Sequence, residues 1–121
     1  QKRWKFILLH EPGWSAGHHE NNLTVQKVIQ PLAVAYGVQV IIAGHNHYYA
    51  RAEVDGVTHI TTGGGGAPLY DPERGWPKVE SKIKAFHYIK FTIQGDTLGA
   101  QVLAPKGGLL EEFFLEIKEP R

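Results

Sequence analysis

The chain has 121 residues, of which 42% are hydrophobic and 21% are charged, and its formal net charge at pH 7 is +1. This length predicts one small domain with a single hydrophobic core. Because Lys and Arg are scattered rather than clustered, the sequence does not indicate a nucleic-acid partner. No apolar run approaches the ~20 residues of a membrane-spanning helix, so a membrane partner is not expected either.

The sequence contains seven His but neither Cys nor Met. The absence of Cys excludes thiolate metal sites and disulfide frameworks. A natural chain starts with Met unless it is processed, and Gln1-Lys2-Arg3 does not resemble a terminus left by signal cleavage. We therefore expect the chain to be a piece of a longer protein, with any signal peptide ahead of Gln1.

The first half of the chain predicts two strands with a helix between them. Residues 4–9 and 38–43 are short apolar runs with the length of buried strands. A strand, a helix and a strand in this order predict a βαβ unit, in which two parallel strands are joined by a right-handed connection.

Capping and breaking residues define the predicted helix. Asn21 and Asn22 are good N-cap residues, and Gly37 is placed to end the helix in the left-handed conformation. Pro31 should kink or divide the helix, because it removes a backbone donor. The apolar positions recur at three- and four-residue steps, as on one face: Leu23, Val25, Val28, Ile29, Leu32, Ala33 and Tyr36.

The second half predicts antiparallel strands. Asp55-Gly56 is typical of a tight hairpin turn, here between strands at 48–54 and 57–61. A Gly-rich loop and an irregular segment should then lead to residue 80. The remaining predicted strands are 84–93, 97–103 and 109–117. Together these elements predict an α/β (α+β) fold, with a βαβ unit followed by a mostly antiparallel β meander in a single domain.

Histidines follow both predicted parallel strands where each strand ends. His10 comes directly after the first apolar run, and His45 and His47 come after the second, in the tetrapeptide Gly44-His45-Asn46-His47. Ligands collect outside the carboxyl ends of parallel strands, so His10 and His45 should lie a few ångströms apart at one edge. An isolated His-x-His is more often a surface pair, but in this setting three converging imidazoles favour a site for Zn, Fe, Mn or Ni.

These motifs, in this order, resemble the last two motif blocks of the calcineurin-like metallophosphoesterases. The purple acid phosphatase branch fits best, because Leu9-His10-Glu11-Pro12 is followed by a Trp and then by His18-His19. The run Gly56–Gly66 and the segment Phe86–Ile89 also resemble this superfamily, so the resemblance covers about residues 4–100. It implies that residues 1–121 form the C-terminal part of a metallophosphoesterase domain, a partial four-layer sandwich.

The resemblance also implies a function, which is that of a phosphatase or phosphodiesterase. Such a hydrolase cleaves phosphate mono- or diesters with a hydroxide bound at two metal ions of the Fe, Zn or Mn class. His10 and His45 would bind one ion and His47 the other. His18 or His19, with a slight preference for His19, would stabilise charge or protonate the leaving alkoxide. A solvated surface pair is an equally weighted alternative for His18 and His19.

The carboxylate-bearing motifs that the family places ahead of the His10 block are missing from the sequence. We therefore expect the isolated chain to be inactive, to hold few or no metal ions, and to need the missing N-terminal half of the same domain. The alternative is a non-catalytic metal-binding or interaction module. An apolar sheet edge left exposed would invite a homodimer. An extracytoplasmic location is compatible with the resemblance.

Other residues have plainer interpretations. His59 lies inside a predicted strand and His87 on an apolar strand face, so both are expected to be structural. The run Thr61–Gly66 lacks the Gly-Lys-Ser/Thr ending of a P-loop and should form a turn beside the metal site. Three loop aromatics either rim a cleft or cover core edges: Trp14, Tyr70 and Trp76.

Overall fold

The computed structural model describes residues 3–118, which form two β-sheets and one short helical segment. The strands are β1 Phe6–Leu8, β2 Val40–Ala43, β3 Tyr49–Val54, β4 Val57–Thr62, β5 Val79–Ile83, β6 Tyr88–Gln94, β7 Thr97–Leu103 and β8 Leu109–Glu116. A turn of π-helix spans Val25–Ile29, and α1 spans Gln30–Ala35. One sheet has the order β1-β2-β4-β3-β5, and the other has the order β6-β7-β8.

The predicted βαβ unit is confirmed in its strand order and direction. β1 and β2 pair in parallel, with Phe6 opposite Val40, and the helical segment connects them. β4 also pairs in parallel with β2, on the other side. The carboxyl ends of β1, β2 and β4 therefore lie at one edge of the larger sheet. The segments that follow these strands begin at Leu9, Gly44 and Gly63.

Pro31 divides the helix as predicted, and the division takes the form of a π-helical turn. The N–H of Gln30 donates to the carbonyl of Val25, five residues back. A proline in a helix lacks a donor and crowds the preceding turn, and a wider π turn relieves that crowding.

Both ends of the helical segment carry caps that the sequence predicts. The Asn22 side chain accepts a hydrogen bond from the N–H of Val25 at 3.0 Å. Asn21 instead accepts from the N–H of Ser15, so of the two candidates only Asn22 caps the helix. Gly37 has φ of 70°, the left-handed conformation expected at the C-terminal end.

The antiparallel half differs from the prediction in two respects. The Asp55-Gly56 hairpin is confirmed, with φ values of 48° and 81°. However, the strands divide between two sheets, and β5, in the segment expected to be irregular to residue 80, pairs with β3. β5 has the mixed sequence VESKI, which gives no strong strand signal because an edge strand need not be apolar. β6 begins at Tyr88 rather than at Lys84.

The larger sheet is covered on both faces. On one face it packs against the smaller sheet through a core built on Val40, Tyr49, Ile60 and Val102. On the other face, Ala33 of α1 packs against Ile41 and Val57. The result is a helix layer, a sheet and a second sheet, which agrees with the partial four-layer sandwich that the family resemblance implies.

Much of the predicted apolar helix face is not buried by residues 3–118. Val25 and Ala33 are buried, but Leu32 is 50% exposed and Tyr36 is 67% exposed. Leu8 on the edge strand β1 is 75% exposed, so the prediction of a buried first strand is wrong at this residue. The homodimer through an exposed edge stays a prediction. Within residues 3–118, no helix is long and apolar enough to cross a membrane.

Candidate active site

His10 and His45 lie side by side at the carboxyl edge of the larger sheet. The His10 Nε2 and His45 Nδ1 atoms are 3.1 Å apart. The backbone brings them together, because the N–H of Gly44 donates to the carbonyl of His10 at 3.0 Å. This confirms the expected closeness of the two rings. This is the length of an N–H···N hydrogen bond between the two rings. It is also close to the spacing of about 3.3 Å between two nitrogens bound tetrahedrally to one Zn at 2.0–2.1 Å.

His47 is fixed by the segment that contains Pro68 and Tyr70. Its Nδ1 atom lies 2.8 Å from the Pro68 carbonyl oxygen, and its own carbonyl accepts the N–H of Tyr70 at 2.9 Å. A carbonyl can only accept, so the Nδ1 atom of His47 carries a proton in this contact, and Nε2 is the ring nitrogen left for a metal ion. Metal-binding histidines are commonly held in this way.

The three proposed ligands do not converge on one point. Among residues 3–118, no group of three or more His, Asp and Glu side chains is placed to hold a single ion. His10 and His45 form one pair, whereas the ring of His47 stacks on Tyr70 at 4.1 Å. The division of the three ligands between two ions, which the family resemblance implies, stays a prediction.

His18 and His19 both reach this edge, and they face different partners. The His19 ring stacks on His45 with centroids 3.9 Å apart, and the His18 ring stacks on Tyr70 at 3.5 Å. Partial burial, followed by the nearby His45, lowers the pKa of His19 and favours its neutral form. His18 and His19 are thus in contact with Tyr70 and His45 rather than isolated on the surface.

The loop that carries these two histidines is held by hydrogen bonds from Asn46 and Tyr48, in the segment that follows β2. The Tyr48 hydroxyl accepts from the N–H of Ala16 at 2.9 Å and donates to the carbonyl of Gly17 at 2.6 Å. The Asn46 side-chain oxygen accepts the N–H of His19 at 3.1 Å. Both Tyr48 and Asn46 are fully buried. Sequence reasoning did not identify these supports, although the alternation in Gly-His-Asn-His predicts that Asn46 points away from the two histidines.

Gly63, directly after β4, lies against the backbone of Asn46 and His47. A Cβ atom at this position would overlap the carbonyl oxygen of Asn46 and lie 3.2 Å from the Cα atom of His47. The N–H of Gly63 donates to the carbonyl of Tyr48 at 3.0 Å. The chain therefore needs glycine here, because any side chain would push on the backbone that carries His47.

The two remaining histidines are structural, as the sequence predicts. The His59 Nε2 atom lies 2.7 Å from the Gln30 side-chain oxygen, and the Trp14 ring makes an edge-to-face contact with His59, with ring centroids 4.8 Å apart. Burial lowers the pKa of His59 to about 4. His87 contacts the Thr62 hydroxyl at 2.8 Å with its Nε2 atom, and burial lowers its pKa as well.

Comparisons of sequence connect this arrangement to known proteins. No protein-family model matches the chain. The chain is 33% identical over 69 residues to purple acid phosphatase 3 of Arabidopsis thaliana, a match that covers 56% of this chain and 19% of the relative. It is 35% identical over 82 residues to tartrate-resistant acid phosphatase type 5 of Rattus norvegicus, covering 65% of this chain and 24% of the relative. The chain thus spans about a fifth to a quarter of these relatives.

Solved structures share the fold. GAP50, the anchor in the inner membrane complex of Plasmodium, superposes with a TM-score of 0.82 at 19% identity, covering 94% of this chain and 37% of GAP50. The purple acid phosphatase PPD1 from yellow lupin (Lupinus luteus) seeds gives a TM-score of 0.70 at 21% identity, covering 93% of this chain and 25% of PPD1. The predicted mixed α/β fold class is therefore confirmed.

Proposed function

Since this chain is a relative of the purple acid phosphatases and thus of the metallophosphoesterases, we propose that it forms the histidine-ligand part of a dinuclear-metal phosphoesterase. Its substrates would be phosphate mono- or diesters. The observation that carries this proposal is the 3.1 Å approach of the His10 and His45 ring nitrogens at the carboxyl edge of parallel strands.

The histidines suit the two metal ions that such a phosphoesterase needs. His10 and His45 would hold one ion, and the free Nε2 atom of His47 would bind the other. Imidazole ligands suit Zn and Fe, and Mn also occurs with imidazole and carboxylate sets. When bound, the ions supply the nucleophile and offset the charge of the phosphate.

The contacts of the neighbouring loop favour His19 over His18 as the residue that acts on the leaving group. The His19 ring lies against His45, a proposed ligand, whereas the His18 ring is stacked against Tyr70. The N–H of His19 donates to the side-chain oxygen of the buried Asn46, and this hydrogen bond fixes the backbone from which the His19 side chain extends. His19 would stabilise the charge that develops on the leaving group. In its protonated form, which its lowered pKa makes available only at lower pH, it would donate its proton to the oxygen of the departing alkoxide.

The remaining ligands of the proposed centre would come from outside these 121 residues. Two neighbouring cations need carboxylates to bridge them and offset their charge, and the carboxylate motifs of the family are absent from this sequence. The second candidate function is a non-catalytic metal-binding or interaction module.

Metal binding by the isolated chain tests the ligand assignment. We expect the chain to bind Zn²⁺ weakly, and a His45→Ala, His47→Ala variant to bind it at least about tenfold more weakly. Loss of a residue that only supports a metal ligand already weakens metal binding by about 10- to 100-fold, so loss of the ligands should cost no less. Isothermal titration calorimetry measures both affinities. Mg²⁺ is the matched control, because it prefers oxygen ligands and should bind neither protein. Equal and measurable binding of Zn²⁺ by the two proteins would remove these histidines from the metal site.

A further inference from the structure

Tyr70 lies between two histidines of the candidate site. Its ring stacks on His18 with centroids 3.5 Å apart and an angle of 12°, and on His47 with centroids 4.1 Å apart and an angle of 16°. His18 belongs to the loop after β1 and His47 to the segment after β2. One aromatic ring therefore separates and aligns imidazoles from two different segments.

On the His47 side, the ring contact completes a three-point attachment. The backbone of Tyr70 donates to the carbonyl of His47, and the Pro68 carbonyl lies against the Nδ1 atom of His47. These two hydrogen bonds fix the backbone and one ring nitrogen of His47. The stacked ring adds the restraint that they leave open, because it sets the plane of the imidazole.

On the His18 side, the same segment holds the histidine loop. Gly17 and His18 both have positive φ, at 94° and 79°, which is uncommon for His and needs support from neighbouring residues. The N–H of Glu73 donates to the carbonyl of Ala16 at 2.6 Å. Tyr70 and Glu73 therefore attach the loop at two points next to this unusual turn.

We propose that Tyr70 is a positioning residue of the candidate centre: its ring sets the orientation of His47 and its separation from the loop that carries His18 and His19. This role rests on the proposed function, in which His47 binds a metal ion. Tyr70 acts through the histidines and is not itself required to touch substrate or metal.

A purely structural role makes a different prediction. Tyr70 also packs beside the buried cluster of Ala16, Tyr48 and Ala50. If it only covered this cluster, any apolar side chain of similar size would replace it without changing the histidines. If it positions the histidines, an aromatic ring is needed, because only a flat ring can stack on two imidazoles at once.

The experiment compares Tyr70→Phe, which keeps the ring, with Tyr70→Leu, which keeps an apolar side chain but removes the ring. Histidine ring signals are recorded by NMR in the 121-residue chain, and Zn²⁺ affinity is measured by calorimetry. We expect Tyr70→Phe to match the unsubstituted chain. Loss of the Tyr70 ring current shifts the His18 and His47 signals in either case, so the readout is the side-chain torsion of His47, measured from three-bond couplings. Tyr70→Leu should change this torsion and weaken Zn²⁺ binding about two- to tenfold, the range that corresponds to one aromatic stacking contact. The His59 and His87 signals serve as internal controls.

A second variant covers the case in which Tyr70→Leu fails to fold. His18 is exposed, so His18→Ala should keep the fold and shift the Tyr70 ring signals. The proposal is overturned if Tyr70→Leu folds with an unchanged His47 side-chain torsion, or if Tyr70→Phe changes that torsion as much as Tyr70→Leu does. If the unsubstituted chain takes up no Zn²⁺, as the missing carboxylates allow, the His47 side-chain torsion still decides whether Tyr70 positions the ring.

Discussion

Gly63→Ala should destabilise the chain by about 3 kcal/mol and displace His47 from its present position. The added methyl group would overlap the Asn46 carbonyl oxygen, and Asn46 is fully buried, so neither side can yield without moving backbone. The displaced segment carries His47 and also Tyr48, whose carbonyl accepts the hydrogen bond from the N–H of Gly63. Urea unfolding followed by tryptophan fluorescence measures the loss of stability, and the His47 NMR signals report the displacement.

Gly65→Ala is the matched control for this prediction. It adds the same methyl group two residues further along the same loop, where no atom lies within 4 Å of the new Cβ position. We expect its free energy of unfolding to stay within about 0.5 kcal/mol of the original, as for ordinary surface substitutions. If both variants unfolded at the same urea concentration, the close approach of Gly63 to the His47 segment would not exist in solution.

Acidification from pH 7 to pH 4.5 should remove about 2–3 kcal/mol of stability through His59 alone. Burial holds the pKa of this imidazole at about 4 in the folded chain, below the ordinary value of 6.5. The unfolded chain therefore takes up the proton more readily than the folded chain. The stabilising contribution is complete above pH 6.5 and is lost as the pH falls towards 4.

A His59→Gln variant isolates this contribution. Its side chain remains neutral over the whole range, so its unfolding free energy should fall less between pH 7 and pH 4.5 than that of the unsubstituted chain. The comparison uses the pH dependence of each protein, which separates the proton effect from any constant loss caused by the substitution. Parallel pH dependences of the two proteins would show that His59 does not titrate with a depressed pKa.

Local patterns of the sequence were enough to predict the part of the fold that creates the site. Two short apolar runs, with a capped helix between them, specify a parallel pair of strands, and the edge rule for such sheets then brings His10 and His45 together. The Asp55-Gly56 turn was equally predictable, because few residues tolerate the positive φ angles of a tight hairpin.

The missed features depend on tertiary contacts that leave little trace in local sequence. β5 is an edge strand that pairs with β3 on one side and meets solvent on the other. Its sequence, VESKI, is therefore mixed in polarity and gives only a weak strand pattern of alternating apolar residues. Tyr70 acquires its place between His18 and His47 only when the loop after β4 folds back. The helix face showed the opposite error. Its apolar period is real, but residues 3–118 cover only part of it, as the exposed Leu32 and Tyr36 show.

The central claim is that this chain supplies the histidine ligands of a phosphoesterase, and hydrolysis by the whole encoded protein tests it most directly. We predict that the protein encoded with the residues ahead of Gln1 contains the carboxylate motifs and hydrolyses p-nitrophenyl phosphate in the presence of Zn²⁺, Fe or Mn²⁺. The 121-residue chain alone should show no turnover. In the whole protein, His45→Ala combined with His47→Ala should lower kcat/KM by at least about 100-fold. That is the upper end of the activity loss seen when a residue that only supports a metal ligand is removed. Full activity of that variant, or a whole protein that lacks the carboxylate motifs and hydrolyses no phosphate ester, would contradict the claim.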